Sequence, residues 1–358
     1  MDTPSLRHLY VNPVGQCNLA CKHCWIAPER SSQPFKTRER LKSEFTPDQF
    51  AKLLDQAVKL GLKNIKFTGG EPLLRSDFPE LYGIAAEYPG EKLIIDVETN
   101  GTLVPDGLWA ALEKHPPRQI AVSLDSINEQ EHDSFRNTQG AWKRTVAFTR
   151  ELVKKEISAQ VIMSTVTLKV KPVLRMALFC QETGVSSLKI NPVQPMGRGK
   201  DISVSSGDVK KLLHFASEIH SKCGTSVSVD IPMAFLRLNR IKDKGTCPIH
   251  ALLGVLPDGG VSFCGIGFSC TSLIMGNFLK DDLCDIWENS ELLQQLRRDV
   301  PAQFEGICGN CIHAGKCLGK CVMQNYYMKG NFTSPYWTCQ RADDAGIFPS
   351  TRKVDQDA

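Results

Sequence analysis

The chain has 358 residues, of which 42% are hydrophobic and 23% charged, as is typical of globular proteins with two or three domains. The net charge of +4 is too small to indicate nucleic acid binding. It contains neither a run of about 20 apolar residues nor an apolar N-terminal segment. We therefore predict a cytoplasmic protein with neither a membrane nor a nucleic acid partner. Fourteen cysteines in that reducing compartment favour metal or cluster ligation over disulfides.

Three cysteines follow the first predicted strand, residues 8–12. Cys17, Cys21 and Cys24 have the spacing C-x3-C-x2-C and lie in a predicted loop. Structural zinc sites and iron–sulfur clusters commonly take four protein ligands, so three thiolates leave one position open for chemistry. The alternatives are a zinc knuckle that lacks a ligand and three unrelated cysteines.

This spacing, followed by the aromatic residue Trp25, resembles the radical S-adenosylmethionine (SAM) enzymes. The resemblance implies that Cys17, Cys21 and Cys24 hold a [4Fe–4S] cluster whose fourth iron is chelated by SAM, with Trp25 beside the cofactor. One electron from such a cluster cleaves SAM to methionine and a 5′-deoxyadenosyl radical, which abstracts a hydrogen atom from the substrate.

Alternating strands and helices are predicted after a polar, basic stretch at 25–44, which is either a solvated loop or a lid over the substrate. Thr46 and Pro47 begin a helix that ends at Gly61. Further strands are predicted at 64–68, 93–97, 120–124, 160–165 and 188–192, with helices near 77–88, 105–115, 141–155, 172–183 and 206–222. Six strand–helix units predict an α/β fold with a parallel sheet. A closed eight-unit barrel needs roughly 250 residues, so a partial (β/α)6 TIM-like barrel fits better, as the resemblance also implies.

Polar residues follow the second and third strands, at the edge where α/β enzymes place their active sites. The turn Gly69-Gly70-Glu71 is similar to the family motif that binds the SAM amino group. Glu98 and Asn100 end the third strand and are expected to contact the SAM ribose. The alternative for this segment is an ordinary Asn-Gly turn.

The fourth and sixth strands supply the remaining candidates. Ser123 and Arg136 match family positions that bind the SAM carboxylate, and an arginine fork suits a carboxylate. Asp125 is expected to bind ribose or to orient the substrate. Arg198, between two glycines, lies either at the adenine pocket or in a surface salt bridge. No residue is identified as the catalytic acid or base.

Nine of the fourteen cysteines follow residue 246. The segment from Cys308 to Cys321 reads C-x2-C-x5-C-x3-C, and a turn at 257–260 predicts a hairpin upstream. Helical segments are also predicted at 282–289 and 290–299. Cysteine spacing alone does not separate zinc from iron–sulfur ligation.

This part of the chain resembles the SPASM domain, the auxiliary-cluster extension of radical SAM peptide maturases. The resemblance implies one auxiliary cluster on Cys308, Cys311, Cys317 and Cys339. The other auxiliary cluster would be held by Cys247, Cys264 and Cys321, with Cys270 as the fourth ligand. Cys180, Cys223 and Cys284 fit no motif, and we interpret the first two as small core residues.

These features predict four segments: a radical SAM barrel at 1–225, a linker at 226–246, a cysteine-rich SPASM domain at 247–345 and a polar tail at 346–358. The expected cofactors are SAM and three [4Fe–4S] clusters. The expected function is a radical SAM oxidoreductase that modifies a peptide or protein by crosslinking, epimerisation or side-chain oxidation. The alternatives are haem or quinone cofactor biosynthesis and, from another class, an iron–sulfur electron carrier or a zinc-binding scaffold. A carrier would have no use for the SAM-amine motif.

The expected partners are a peptide or protein substrate and an electron donor of the flavodoxin or ferredoxin type. Many peptide maturases carry a leader-binding domain, for which residues 1–7 and the short tail leave no room. We therefore expect either a separate leader-binding protein or direct binding of the substrate by the barrel and the auxiliary domain, together with the basic stretch. In the second case Lys36, Arg38, Arg40 and Lys42 would attract an acidic leader.

Overall fold

Six parallel strands form the centre of the fold in the computed structural model. They are β1 His8–Val11, β2 Asn64–Phe67, β3 Ile94–Thr99, β4 Gln119–Ser123, β5 Ala159–Thr165 and β6 Ser187–Pro192. The six lie side by side in chain order, and each neighbouring pair is parallel. The predicted α/β fold with a parallel sheet and six strand–helix units is therefore confirmed.

The two faces of this sheet differ in character because successive residues of a strand point to opposite sides. In β6, Leu188 and Ile190 are buried in the hydrophobic core, whereas Lys189 and Asn191 are partly exposed. The same alternation occurs in β1, β2 and β5. We call the side that carries the partly exposed residues the inner face. It is the polar side of an otherwise apolar sheet.

Seven helices lie between or after these strands, and their apolar residues join the hydrophobic core. They are α1 Pro47–Lys59, α2 Phe78–Ala86, α3 Leu108–Lys114, α4 Glu129–Arg136, α5 Ala141–Lys154, α6 Val170–Thr183 and α7 Val209–Lys222. A capping box joins Thr46 and Gln49 at the start of α1, as the Thr46-Pro47 pair predicts. The sequence did not predict α4, whose side chains are mostly polar.

Four further strands extend the sheet at both ends. They are β7 Val227–Val229, β8 Leu252–Val255, β9 Gly260–Ser262 and β10 Gly276–Asn277. β7 pairs with β6, although it lies in the segment predicted as a linker. β8 pairs in parallel with β1, from His8 opposite Leu252 to Val11 opposite Val255. The cysteine-rich region is thus joined to the β/α units by a continuous ten-stranded sheet.

Short helices occupy the remainder of the cysteine-rich region. They are α8 Leu283–Asn289, α9 Glu291–Asp299, α10 Gly306–Gly309, α11 Ala314–Cys317, α12 Val322–Lys329 and α13 Trp337–Asp344. The first two confirm the helices predicted at 282–289 and 290–299. Cys308 and Cys317 lie within α10 and α11, and Cys339 lies in α13, so these short helices position three of the predicted cluster ligands.

The structure describes residues 3–27, 29–30, 44–202, 208–223, 226–237, 241 and 246–354. Lys36, Arg38, Arg40 and Lys42, the charges predicted to attract an acidic leader, lie outside these ranges. Within them, every helix is too short or too polar to cross a bilayer.

The contact between Gly254 and Cys264 gives a first testable prediction. A Cβ at Gly254 would lie 2.4 Å from the Cα of Cys264, so Gly254→Ala must push apart the backbones of β8 and the segment after β9. We expect a lower melting temperature in thermal unfolding followed by circular dichroism. Gly83→Ala is the matched control, since nothing lies within 4 Å of that position in α2. Alanine there should stabilise the helix by about 0.5–1 kcal/mol. Equal melting temperatures for the two variants would contradict the close packing of Gly254.

Candidate active site

The three cysteines of the C-x3-C-x2-C motif lie in the loop after β1, at the carboxyl edge of the sheet. Cys17 and Cys21 are buried and Cys24 is half-buried. Burial, together with the neighbouring charges at Glu71, Cys21 and Cys24, raises the pKa of the Cys17 thiol to about 12. The three thiols are therefore close together. Cysteine thiols bind metals only after losing their protons, so the cationic iron ions of an iron–sulfur cluster are the group that this donor set fits.

Three N–H groups point at the sulfurs of this loop. The backbone N–H of Leu19 and the amide of Asn100 donate to Cys17 Sγ over 3.4 and 3.8 Å. The Nη1 of Arg136 donates to Cys21 Sγ over 3.6 Å. Hydrogen bonds to cluster sulfurs are among the factors that set a cluster's reduction potential, so these donors suit an anionic iron–sulfur group.

The predicted Gly-Gly-Glu turn packs directly on the cysteine loop. A Cβ at Gly70 would lie 2.0 Å from the carbonyl oxygen of Gln16, and Gly69 has a φ of +111°. The backbone N–H of Glu71 donates to the same Gln16 carbonyl over 2.9 Å. Glycine at both positions lets the turn lie against the residue that precedes Cys17.

The Glu71 side chain is only 1% exposed, and its carboxylate is held by three donors. The N–H of Leu73 and the hydroxyl of Thr99 donate to Oε1 over 3.1 and 2.5 Å, and the N–H of Asn100 donates to Oε2 over 2.7 Å. Burial raises its pKa to about 7, against the lowering effect of these hydrogen bonds. The side chain thus fixes the turn to the end of β3, and its predicted contact with the SAM amine stays a prediction.

Glu98 and Asn100, the two residues predicted to contact the SAM ribose, point in different directions. Glu98 accepts from Lys66 Nζ and from the Thr68 hydroxyl, both over 2.9 Å. Burial alone would raise its pKa, but the ammonium of Lys66 holds the pKa below the usual value. Asn100 instead donates to the Asn18 side chain over 2.9 Å and so faces the cysteine loop. A ribose contact stays a prediction for both.

Asp125 and Arg136 form a buried bidentate ion pair. Arg136 donates to Asp125 Oδ2 and Oδ1 over 2.5 and 3.0 Å, and the Ser164 N–H donates to Oδ1 over 2.9 Å. Although burial opposes ionisation, Arg136 holds the pKa of Asp125 low. The guanidinium predicted to bind the SAM carboxylate is thus engaged by Asp125 and Cys21. Ser123 ends β4 on the inner face, and its carboxylate contact stays a prediction.

The turn after β6 closes over the other side of the cysteine loop. Arg198 donates from its backbone to the Cys24 carbonyl over 2.9 Å and from Nε to the Cys21 carbonyl over 2.8 Å. A Cβ at Gly197 would lie 2.3 Å from the Trp25 carbonyl. The sequence left Arg198 open between an adenine pocket and a surface salt bridge. The structure places it against the backbone of the cysteine motif.

Trp25 lies where the cysteine loop meets the cysteine-rich region. Its side chain is 40% exposed, and the edge of its ring lies 3.4 Å from the Cβ position of Gly265. The Ser269 hydroxyl donates to the Trp25 carbonyl over 3.3 Å. Trp25 therefore contacts the turn that follows Cys264, and its role beside SAM stays a prediction.

The first predicted auxiliary group draws its cysteines from distant segments. Burial, then the charge of Cys321 and that of Cys247, raise the pKa of the Cys264 thiol, so these three thiols are near one another. The Cys270 thiol contacts the Ser272 hydroxyl at 3.2 Å. Its role as the fourth ligand stays a prediction.

The second predicted auxiliary group shares one cavity. Cys308, Cys311, Cys317 and Cys339 line it together with His313, Lys320 and Tyr336. The backbone N–H groups of Tyr336 and His313 donate to the sulfurs of Cys308 and Cys311, each over 3.4 Å. Among the residues that the structure describes, no group of three or more His, Cys, Asp or Glu side chains is arranged to hold a single metal ion. Thiols around a shared cavity suit instead a larger iron–sulfur cluster, in which each thiolate binds its own iron.

Three polar residues of the inner face, Tyr10, Lys66 and Lys189, were not among the site residues predicted from the sequence. Lys66 lies 4.7 Å from the centre of the Tyr10 ring, and both are near Glu98. The available signal was their place at alternate positions of otherwise apolar strands. Polar residues there face the inner side of the sheet.

A parallel β/α sheet with three grouped thiols at its carboxyl edge, and two further cysteine groups beside it, defines an α/β iron–sulfur protein. The family model of the radical SAM superfamily matches residues 11–172, and that of the SPASM iron–sulfur cluster-binding domain matches residues 248–312. The chain thus carries a radical SAM domain followed by a C-terminal SPASM domain. Its cofactors are SAM and [4Fe–4S] clusters.

Proteins named as heme synthases and proteins named as maturases are both similar to this chain. The AdoMet-dependent heme synthase of Methanosarcina barkeri is 27% identical over 331 residues, which cover 88% of this chain and 91% of that protein. The mycofactocin maturase MftC of Mycolicibacterium smegmatis is 26% identical over 331 residues, covering 87% and 76%. The structure of Streptococcus suis SuiB bound to its precursor peptide SuiA superposes with a TM-score of 0.71 at 15% identity, covering 93% and 75%. This last likeness shows the fold alone.

The cysteine groups lead to a prediction of iron content. We expect about 12 irons per chain after anaerobic reconstitution, four for each of three clusters. The triple variant of Cys17, Cys21 and Cys24 to alanine should lose about four irons, and so should the double variant of Cys308 and Cys311. Iron and sulfide analysis measures the loss.

The control for iron content is Cys284→Ser, since Cys284 lies in the first turn of α8 and fits no motif. It should keep the full iron content. A wild-type protein that holds stoichiometric zinc and only about four irons would contradict the auxiliary clusters.

The buried ion pair leads to a prediction of stability. Asp125→Ala leaves the Arg136 guanidinium buried without its partner, which should lower the free energy of unfolding by about 3–5 kcal/mol. Denaturant titration of the purified protein measures the change. Glu87→Ala breaks an ion pair with Lys114 on the surface and should change little. A loss of less than about 1 kcal/mol for Asp125→Ala would show that the pair is dispensable for stability.

Proposed function

We propose that this enzyme acts on a tetrapyrrole in the formation of a haem-type cofactor. The observation that carries the proposal is the match to the AdoMet-dependent heme synthase, which spans 88% of this chain and 91% of that protein. Two further proteins of that name match at 25% identity over 92% of this chain. The maturase match spans only 76% of its relative. Biosynthesis of a small-molecule cofactor, an alternative in the sequence analysis, therefore becomes the first candidate function.

The described residues would have separate roles in such a reaction. With SAM bound, the cluster held by Cys17, Cys21 and Cys24 would supply the 5′-deoxyadenosyl radical. The turn at Gly69–Gly70 and Arg198 hold the cysteine loop in place from opposite sides. The cluster needs one electron for each SAM cleaved, so an external donor of the flavodoxin or ferredoxin type belongs to the proposal.

The inner face of the sheet is the surface that would receive the substrate. Tyr10 is near Cys247 and Cys264, whose charges raise its pKa, and Ser123, which is predicted to contact the SAM carboxylate, ends β4 on the same inner face. A substrate between them would contact both the radical source and the auxiliary cluster. This arrangement supports hydrogen abstraction followed by electron transfer to the auxiliary cluster.

Modification of a peptide is the second candidate, and the likeness to MftC favours it. The SuiB structure adds that this fold accommodates a precursor peptide in a related protein. The reaction would then be a crosslink, an epimerisation or a side-chain oxidation. A leader-binding protein would be an additional partner in this case only.

The two candidates are separated by substrate-dependent SAM cleavage. We expect an iron tetrapyrrole with carboxylate side chains to increase 5′-deoxyadenosine formation by the reconstituted, reduced enzyme. The mass of the tetrapyrrole should change in the same sample. Anaerobic chromatography coupled to mass spectrometry measures both. The second candidate would replace the first if tetrapyrroles left SAM cleavage unchanged and a short peptide encoded beside the gene stimulated it.

The matched control for SAM cleavage removes the radical source. The triple variant of Cys17, Cys21 and Cys24 to alanine should form no 5′-deoxyadenosine with any substrate, because it loses the open iron. The double variant of Cys308 and Cys311 should keep some SAM cleavage without product. Normal turnover by the double variant would show that the second auxiliary cluster is not needed.

A further inference from the structure

The inner face carries charged side chains in the middle of the sheet. Lys66, Glu98 and Lys189 occupy polar positions on β2, β3 and β6, on the side away from the helices. The Glu98 side chain keeps 36% of its surface accessible, although its strand lies in the middle of the sheet. We call the accessible space on the inner face, which these side chains border, the chamber.

Nearly every charge around this chamber has a partner. Lys66 is paired with Glu98 at 2.9 Å, and Arg136 is paired with Asp125. Lys320 is paired with Asp230, and Arg118 is paired with Asp96. Each of these pairs is neutral as a unit.

Lys189 is the exception. Within the described ranges it has neither an ion pair nor a hydrogen bond, although its charge adds to that of Lys66 in lowering the pKa of Glu98. It is only partly exposed. No described side chain is paired with the Lys189 ammonium, so the chamber has one positive charge that a ligand anion would balance.

The register of the sheet places Lys189 level with Ser123, which is predicted to contact the SAM carboxylate. Ser123, the last residue of β4, is opposite Ile162 of β5, and Ile162 is opposite Lys189 of β6. The next residue of β5 on the inner face, Ser164, donates its N–H to Asp125. Lys189 is thus two strands away from Ser123 at the same height of the sheet.

We propose that Lys189 binds a carboxylate of the substrate and thereby presents the adjoining carbon to the SAM-derived radical. The proposal rests on the proposed function, since haem-type tetrapyrroles carry carboxylate side chains. It makes Lys189 a specificity-determining residue: a substrate whose carboxylates are blocked would lose the contact. The Lys66–Glu98 pair is already neutral and does not compete for the anion.

The test compares an acid with its ester in binding to the reconstituted enzyme. The probes are coproporphyrin and coproporphyrin tetramethyl ester, titrated anaerobically and followed by porphyrin fluorescence. We expect the wild-type protein to bind the acid at least about tenfold more tightly than the ester, the range for a charge-assisted hydrogen bond. Lys189→Met should lose this preference, and Lys189→Arg should keep most of it.

Lys171→Met is the matched control, because Lys171 is an exposed lysine on α6. It should bind both porphyrins as the wild-type protein does. Melting temperatures and iron content of the four proteins show whether the variants are intact.

The outcomes distinguish this inference from the function on which it rests. Binding of both porphyrins by the wild-type protein with an acid preference that Lys189→Met retains would overturn the role of Lys189 and leave the proposed function standing. Equal affinity of the wild-type protein for acid and ester would do the same. Failure of the wild-type protein to bind either porphyrin would overturn the proposed function, and the inference with it.

Discussion

The close contact of Gly70 with the Gln16 carbonyl is the constraint on which the candidate site depends. No side chain fits in that gap, because a Cβ would lie 2.0 Å from the carbonyl oxygen. The contact fixes the backbone that leads into Cys17. Arg198 fixes the same loop from the other side, through the carbonyls of Cys21 and Cys24. The geometry of the three thiols is therefore set by contacts made to the backbone of the cysteine loop from the ends of two strands.

Much of the fold could be predicted from the sequence because its signals are local. Alternating apolar residues indicated the strands, and the Thr46-Pro47 pair indicated the start of α1. The pairing of β8 with β1 could not be predicted, because it joins residues more than two hundred positions apart and no local pattern encodes that register. The helix α4 was missed because its polar residues give little hydrophobic periodicity.

The candidate site was predictable where residue type alone limits the chemistry. Cysteines at close spacing suit few roles, and the structure brings the predicted groups together. Charged residues suit many roles, so the role of each could be assigned only from the partners that the structure shows. Arg136 is engaged by Asp125 and Cys21, and Glu71 by three donors at the end of β3. For Lys189 the sequence gave only a polar position in an apolar strand, and its significance follows from the pairing of its neighbours, which the structure shows.

The pairing of β1 with β8 has a consequence for synthesis of the protein. Strand β1 leaves the ribosome early, but the strand that covers one of its edges is completed only at Val255. Until then the nascent chain exposes unpaired N–H and C=O groups beside the cysteine loop, and open strand edges promote association with other chains. Contacts of such long sequence separation also form slowly. The first iron-binding loop is thus translated long before its sheet is complete, which favours insertion of its cluster only after β8 has been synthesised.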